Sequence, residues 1–136
     1  MGGKEVKVSV DTNVLVRAAV RDHPEQTDAA TRVMGRAEIV AVTLPSLCEL
    51  AWVLRSVYGF KASDIGKAIR VLLAAENVET NRPAVEAGLA MLEAGGDFAD
   101  GVIAYEGRWL GAETFVSFDK KAVDLLKQQG VAARLL

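Results

Sequence analysis

The chain has 136 residues, about half apolar and a quarter charged, with a net charge of −2; that suits one ordinary globular domain with a hydrophobic core. No apolar run approaches the ~20 residues of a membrane span, and no N-terminal stretch reads as a signal peptide. One cysteine and one histidine nearly exclude thiolate–imidazole zinc sites and histidine-based triads; a cytoplasmic protein is expected. The charge balance lacks the basic excess that usually accompanies nucleic-acid binding.

Residues 1–4 read as a disordered leader ahead of a single domain. The alternation in EVKVSV (5–10) predicts a strand, and Asp11, Thr12 and Asn13 then supply turn and cap residues for a short helix. Pro24 starts a second helix that ends near Gly35. EIVAV (38–42) has strand character. A helix is expected from Pro45 to about Tyr58, stopped by Gly59, and another capped by Ser63 and running to Ala75. NVET (77–80) reads as a short strand. Pro83 opens a helix to Ala94, closed by Gly95-Gly96, and GGDFADGVIAYEG (95–107) begins the next, to about Leu110. ETFVSF (113–118) predicts a strand, DKKAVDLLKQQG a helix stopped at Gly130, and VAARLL a last strand. Strands alternating with helices imply an α/β fold with a mostly parallel sheet.

In such sheets, ligands bind beyond the carboxyl ends of the strands. Asp11 directly follows the first strand and Asp119 follows VSF in a later one, so parallel strands would set both at one sheet edge. Asp97 and Asp100 stand three residues apart, on one helical face, where like charges repel. Each of these acids also has a purely structural role available as a helix cap or first-turn charge. Glu49 sits among Leu47, Leu50, Ala51, Trp52, Val53 and Leu54, where a charge is costly without a partner; alternatively Ser46-Leu-Cys-Glu49 matches a capping box. Met34, Met91, Trp52 and Trp109 are most simply packing residues, and His23 a surface residue. No phosphate-binding glycine loop or dinucleotide fingerprint is present.

Several carboxylates gathered without a cation repel and stay partly protonated. A hard divalent ion resolves that conflict, and an all-carboxylate donor set favours Mg²⁺ or Mn²⁺. Phosphodiester hydrolysis is the chemistry suited to such a centre.

VSVDTNVLVR, the glutamate in LPSLCELAWVL, GGDFADGVIA and FVSFDKKAV, in that order, resemble the motifs of PIN-domain ribonucleases, and more narrowly the VapC-type toxins of bacterial type II toxin–antitoxin modules. The likeness spans Glu5 to Leu136. By position, Asp11, Glu49 and Asp100 match the core acids and Asp119 the more variable fourth. Asp97 matches an acid often found just ahead of the third, Asn13 a residue bracing the first motif, and Ser117 a hydroxyl supporting the site. The resemblance implies a three-layer sandwich with a central parallel sheet of about five strands between helices. It further implies Mg²⁺- or Mn²⁺-dependent endoribonuclease activity, a homodimer, and a cognate antitoxin as inhibitor. Arg17, Arg108 and Lys120 are candidates for the RNA backbone, Arg108 because eight residues place it on roughly the Asp100 face. Two other readings stand beside this one. A phosphotransfer protein, either a haloacid-dehalogenase-like phosphatase or a receiver domain, also sets Asp residues at strand ends, but the former wants an acid at position 13 and the latter an acidic pair in the first strand. A non-catalytic PIN-like scaffold binding RNA or a partner needs no acids at all.

Overall fold

A computed structural model describes residues 6–136; the leader expected at residues 1–4 lies outside them, as does Glu5. The chain forms two compact units, the first ending at Asn81 and the second running from Arg82 to Leu136.

In the first unit the order is β1 (Lys7–Ser9), α1 (Thr12–Val20), α2 (Pro24–Arg36), β2 (Ile39–Ala41), α3 (Leu44–Ser56), α4 (Ala62–Ala74) and β3 (Val78–Glu79). The three strands form one parallel sheet in the order β1-β2-β3, with Val8 opposite Val40 and Val40 opposite Val78. Val40, Leu47, Leu54 and Ile69 are fully buried, and α1 packs on α2 and α3. Asn77 ties the second crossover down: its side-chain amide donates to the carbonyls of Met34 at 2.7 Å and Ala37 at 3.0 Å. The helix expected from Pro45 begins one residue earlier, and its N-cap is Thr43, whose hydroxyl accepts from the Ser46 N–H at 3.3 Å. A Ser46–Glu49 capping box is thereby ruled out, because Ser46 already lies inside the first turn. Thr43→Ala should therefore cost about 1 kcal/mol in chemical denaturation, and Ser46→Ala distinctly less. Ser63 likewise lies inside α4, whose N-cap position is Lys61, with no side-chain cap; Asp64 in the first turn meets the helix dipole instead.

The second unit runs α5 (Arg82–Glu93), α6 (Phe98–Trp109), β4 (Phe115–Ser117), α7 (Lys120–Gln128) and β5 (Ala133–Leu135). Met91, Ala104, Ala122 and Leu126 form its core, joined by Phe115, Leu125 and Val131. Helices α5 and α6 approach very closely, and two glycines make that possible. A Cβ on Gly101 would stand 2.3 Å from the Ala87 carbonyl oxygen, and one on Gly88 2.6 Å from the Phe98 ring. The turn joining these helices uses Gly95 at φ +99°, a conformation that side chains with a Cβ rarely adopt.

The expected sheet of about five strands is not found. All five described strands are parallel to their neighbours, but they form a three-stranded sheet in the first unit and a two-stranded one, β4-β5, in the second. Asp11 and Asp119 accordingly follow strands of different sheets. Alternation of apolar residues reports which face of a strand is buried, not which strand lies beside it, so the grouping was not readable from the pattern.

Candidate active site

In the first unit, the junction of β1 and α1 carries two of the expected residues, Asp11 and Asn13, and α3 carries a third, Glu49. Asp11 is the N-cap of α1, and its Oδ1 accepts from the Val14 N–H at 3.2 Å. The sequence thus placed its structural role correctly, yet a carboxylate has two oxygens and about four acceptor sites, and the cap uses one. Thr12, at the first helical position, donates its hydroxyl to Glu49 Oε1 at 2.5 Å, linking the start of α1 to the second turn of α3. This bond orients Glu49, and it is what replaces the capping box. Glu49 is exposed, while Leu47, Leu50, Ala51 and Leu54 point into the core; the helix is amphipathic rather than apolar all round, so the carboxylate is not stranded among hydrocarbon.

Asp11 and Asn13 line an open cavity of about 510 Å³ together with Arg17 and Gln26. Arg17 is heavily engaged there. It donates to Gln26 Oε1 at 2.7 Å, to Asp22 Oδ1 at 3.0 Å and to the Tyr58 hydroxyl at 3.3 Å. A guanidinium so committed braces the α1–α2 corner first. The lone histidine has a structural task as well: His23 caps α2, its Nδ1 accepting from the Gln26 N–H at 3.2 Å.

The second unit gathers the other three acids. Asp97 occupies the N-cap position of α6, but its carboxylate makes no capping hydrogen bond, so the structural role that sequence offered it is the one it does not fill. Asp100 sits in the first turn of α6, half-buried, its N–H donating to the Asp97 carbonyl at 3.1 Å. Asp119 caps α7 through the Ala122 N–H at 3.1 Å, while its own N–H donates to Ser117 Oγ at 2.9 Å. Ser117 therefore holds the backbone of Asp119 at the start of α7. The Asp100 carboxyl is pushed up from the ordinary aspartate value, first by burial and then by the negative charges of Asp97 and Asp119. Asp100 thus feels the charge of both other acids. That is the conflict a cation relieves.

The donor chemistry therefore fits a hard divalent ion: carboxylate oxygens, mutual repulsion and no sulfur or imidazole among the expected ligands. Among the described residues, however, no three His, Cys, Asp or Glu side chains are already drawn together in a ligand cage. Lys120, expected near the RNA, is exposed and bonded to Asp124 at 2.6 Å, one turn along α7. Arg108 does not share the Asp100 face. Eight residues advance a helix by about 800°, and Arg108 lines a cavity with Gly101, Ala104 and Tyr105 instead.

Against this geometry the PIN domain family model matches residues 8–126, and no curated protein matches the chain. The chain belongs to the PIN-domain family. Membership places it among proteins that are in general nucleases. No described helix is long and apolar enough to cross a membrane.

The residue that motif reading missed is Thr12. Its position in DTN suggests a turn former, and nothing in its neighbourhood signals a bond to a residue 37 positions away. Thr12→Val should leave folding within about 1–2 kcal/mol. If Glu49 holds a metal, the change should also weaken Mn²⁺ binding about 10- to 100-fold, the usual effect of losing an outer partner of a metal ligand, as titration calorimetry would show.

Proposed function

We propose that this protein is a Mg²⁺- or Mn²⁺-dependent endoribonuclease that acts as the toxin of a type II toxin–antitoxin module. Family membership supports the nuclease class. The observation carrying the metal dependence is the acid cluster at the start of α6, where burial first, and then the charges of Asp97 and Asp119, raise the proton affinity of Asp100. The reading assigns Asp11, Glu49 and Asp100 as principal ligands, with Asp97 and Asp119 completing the acidic set and Asn13 and Ser117 holding the backbone and side chains around them. It treats both compact units as one PIN domain, in keeping with a family match that runs across Asn81.

When bound, a divalent ion supplies the polarisation of the phosphoryl oxygen and the acidification of water that phosphodiester hydrolysis requires. The chain's own part is electrostatic and positional. Thr12 bonds to Glu49, the α1 cap engages one oxygen of Asp11, and the α7 cap engages one oxygen of Asp119 while Ser117 holds the Asp119 backbone N–H. Half-burial of Asp100 strengthens whatever charge interactions it makes. Expected products carry 5′-phosphate and 3′-hydroxyl ends. The toxin role adds a homodimer, a cytoplasmic location and a cognate antitoxin that occupies the acidic groove.

Incubating the purified protein with structured RNA and Mn²⁺, and separately with acetyl phosphate, tests the reading. RNA cleavage that chelator stops and Asp100→Asn abolishes supports it. Aspartyl phosphorylation would assign the phosphotransfer alternative, and tight RNA binding without cutting would assign the scaffold. Recovery of a small DNA-binding protein bound to the native chain supports the toxin role.

A further inference from the structure

Gln26 is held in a way that the acid chemistry does not explain. It stands at the third position of α2, where a glutamine commonly returns a hydrogen bond to the N–H of the cap residue. Its side chain does otherwise: Oε1 accepts from Arg17 Nε at 2.7 Å, while the Gln26 backbone N–H is taken by His23 Nδ1 at 3.2 Å. Arg17 is anchored in turn through Nη1, by Asp22 at 3.0 Å and the Tyr58 hydroxyl at 3.3 Å. Gln26 is exposed, and fixing so long a side chain at a surface costs conformational entropy. With the oxygen engaged, the NH₂ half of the amide is left over. Among the described residues neither that Nε2 nor Arg17 Nη2 makes a hydrogen bond. Both residues line the open cavity of about 510 Å³ that Asp11 also lines, with Val14 and Val33 as apolar wall. The cavity therefore touches one of the candidate acids directly. Its volume falls within the range of small-ligand sites and is ample for a nucleoside.

We propose that this cavity selects guanine at the nucleotide flanking the bond to be cut, with Arg17 Nη2 and Gln26 Nε2 as donors to its O6 and N7. The proposal rests on the nuclease reading and adds to it a choice of base. Two donors with no acceptor between them call for two neighbouring acceptors. Guanine presents that pair at N7 and O6, whereas adenine offers an acceptor and a donor, and the corresponding edge of a pyrimidine has no N7 at all. Proteins read such edges by direct hydrogen bonds when the base is unpaired. A free glutamine could turn its amide over and accept from adenine instead. Here the bond to Arg17 Nε forbids the turn, because a flipped amide would set N–H against N–H. Asp22 and Tyr58 are then positioning residues, acting through Arg17. Arg17, expected from sequence to meet the RNA backbone, reads a base edge in this arrangement.

The test uses the full chain in chelator and oligouridine of about ten nucleotides carrying one central purine. Guanine at that place should bind roughly 5- to 150-fold more tightly than adenine, the worth of one two-point base contact. Hypoxanthine, which keeps O6 and N7, should bind like guanine; 7-deazaguanine, which lacks N7, should lose most of the advantage. Gln26→Glu turns the donor into an acceptor and suits the first turn of a helix, so the variant should fold and should move the preference towards adenine, whose N6 donates. Gln26→Ala should abolish the preference without creating another. With Mn²⁺ present, cuts should fall beside guanine in the wild type and beside adenine in Gln26→Glu. Equal binding of the guanine and adenine strands, full affinity for 7-deazaguanine, or a guanine preference unmoved by Gln26→Glu overturns the base pocket, and in a chain that still cleaves RNA each leaves the nuclease reading standing. A wild-type protein that neither binds nor cuts RNA sinks the nuclease reading itself.

Discussion

Replacing Asp100 by Asn should destroy cleavage while making the metal-free protein harder to unfold at neutral pH. The two effects share a cause. In the folded chain the Asp100 carboxyl holds its proton more tightly than the ordinary value of 3.8, through burial and the charges of Asp97 and Asp119. The folded state therefore binds a proton that the unfolded state has already released, and ionisation opposes folding. The penalty is absent in acid below the ordinary aspartate value. It grows as pH rises from that value through the raised one, and is constant beyond. Asn keeps the shape and carries no charge, so its gain in melting temperature should appear at pH 7, shrink as pH falls through that interval, and shrink also with added salt as repulsion is screened. Activity moves the other way. If Asp100 is a direct ligand, as proposed, its loss should cost more than the ~10–100-fold that removal of an outer partner costs. Added Mn²⁺ should raise the melting temperature of the wild type by mass action and leave the Asn variant nearly unmoved. A variant that is less stable than wild type at pH 7, or equally stabilised by Mn²⁺, would show that Asp100 is not the focus of an unrelieved negative charge.

Gly101→Ala should have the largest effect on folding. Its new methyl group would meet the Ala87 carbonyl oxygen at 2.3 Å and the Gly88 Cα at 2.9 Å. Both belong to the backbone of α5, so no side chain can swing aside; the helices must separate. Overpacking typically costs 1–3 kcal/mol, and a clash with backbone belongs at about 3 kcal/mol or above. For a chain of this size that corresponds to a fall in melting temperature on the order of 10 °C. Separation of α5 from α6 also displaces the turn that carries Asp97 and Asp100, so whatever protein remains folded at low temperature should bind metal poorly. Gly107→Ala is the control on the same helix: its nearest neighbour would be the Ala112 Cβ at 4.0 Å, and Ala is the better helix former by ~1 kcal/mol. Thermal unfolding of the pair separates crowding from helix propensity. Equal stability of the two variants would remove the close approach of α5 and α6 from the account.

The sequence alone determined the order and nature of the elements, because local signals write them. Alternating valines gave β1, Pro24 and Pro83 opened helices, and Gly59, Gly95 and Gly130 ended them. It also determined which acids stand at element junctions, since an aspartate after a strand and before a helix is a local feature, and Asp11 and Asp119 do cap the helices they precede. Tertiary structure decided the rest. Only packing showed that β1 and β4 belong to different sheets, that Thr12 reaches Glu49, that Gly101 is required by a carbonyl fourteen residues back, and that Arg108 faces a cavity rather than the Asp100 row. These are contacts between distant segments. A sequence carries its periodicity and its caps locally, but partners across space are fixed only when backbones come within ångströms of each other, and no residue announces its partner in advance.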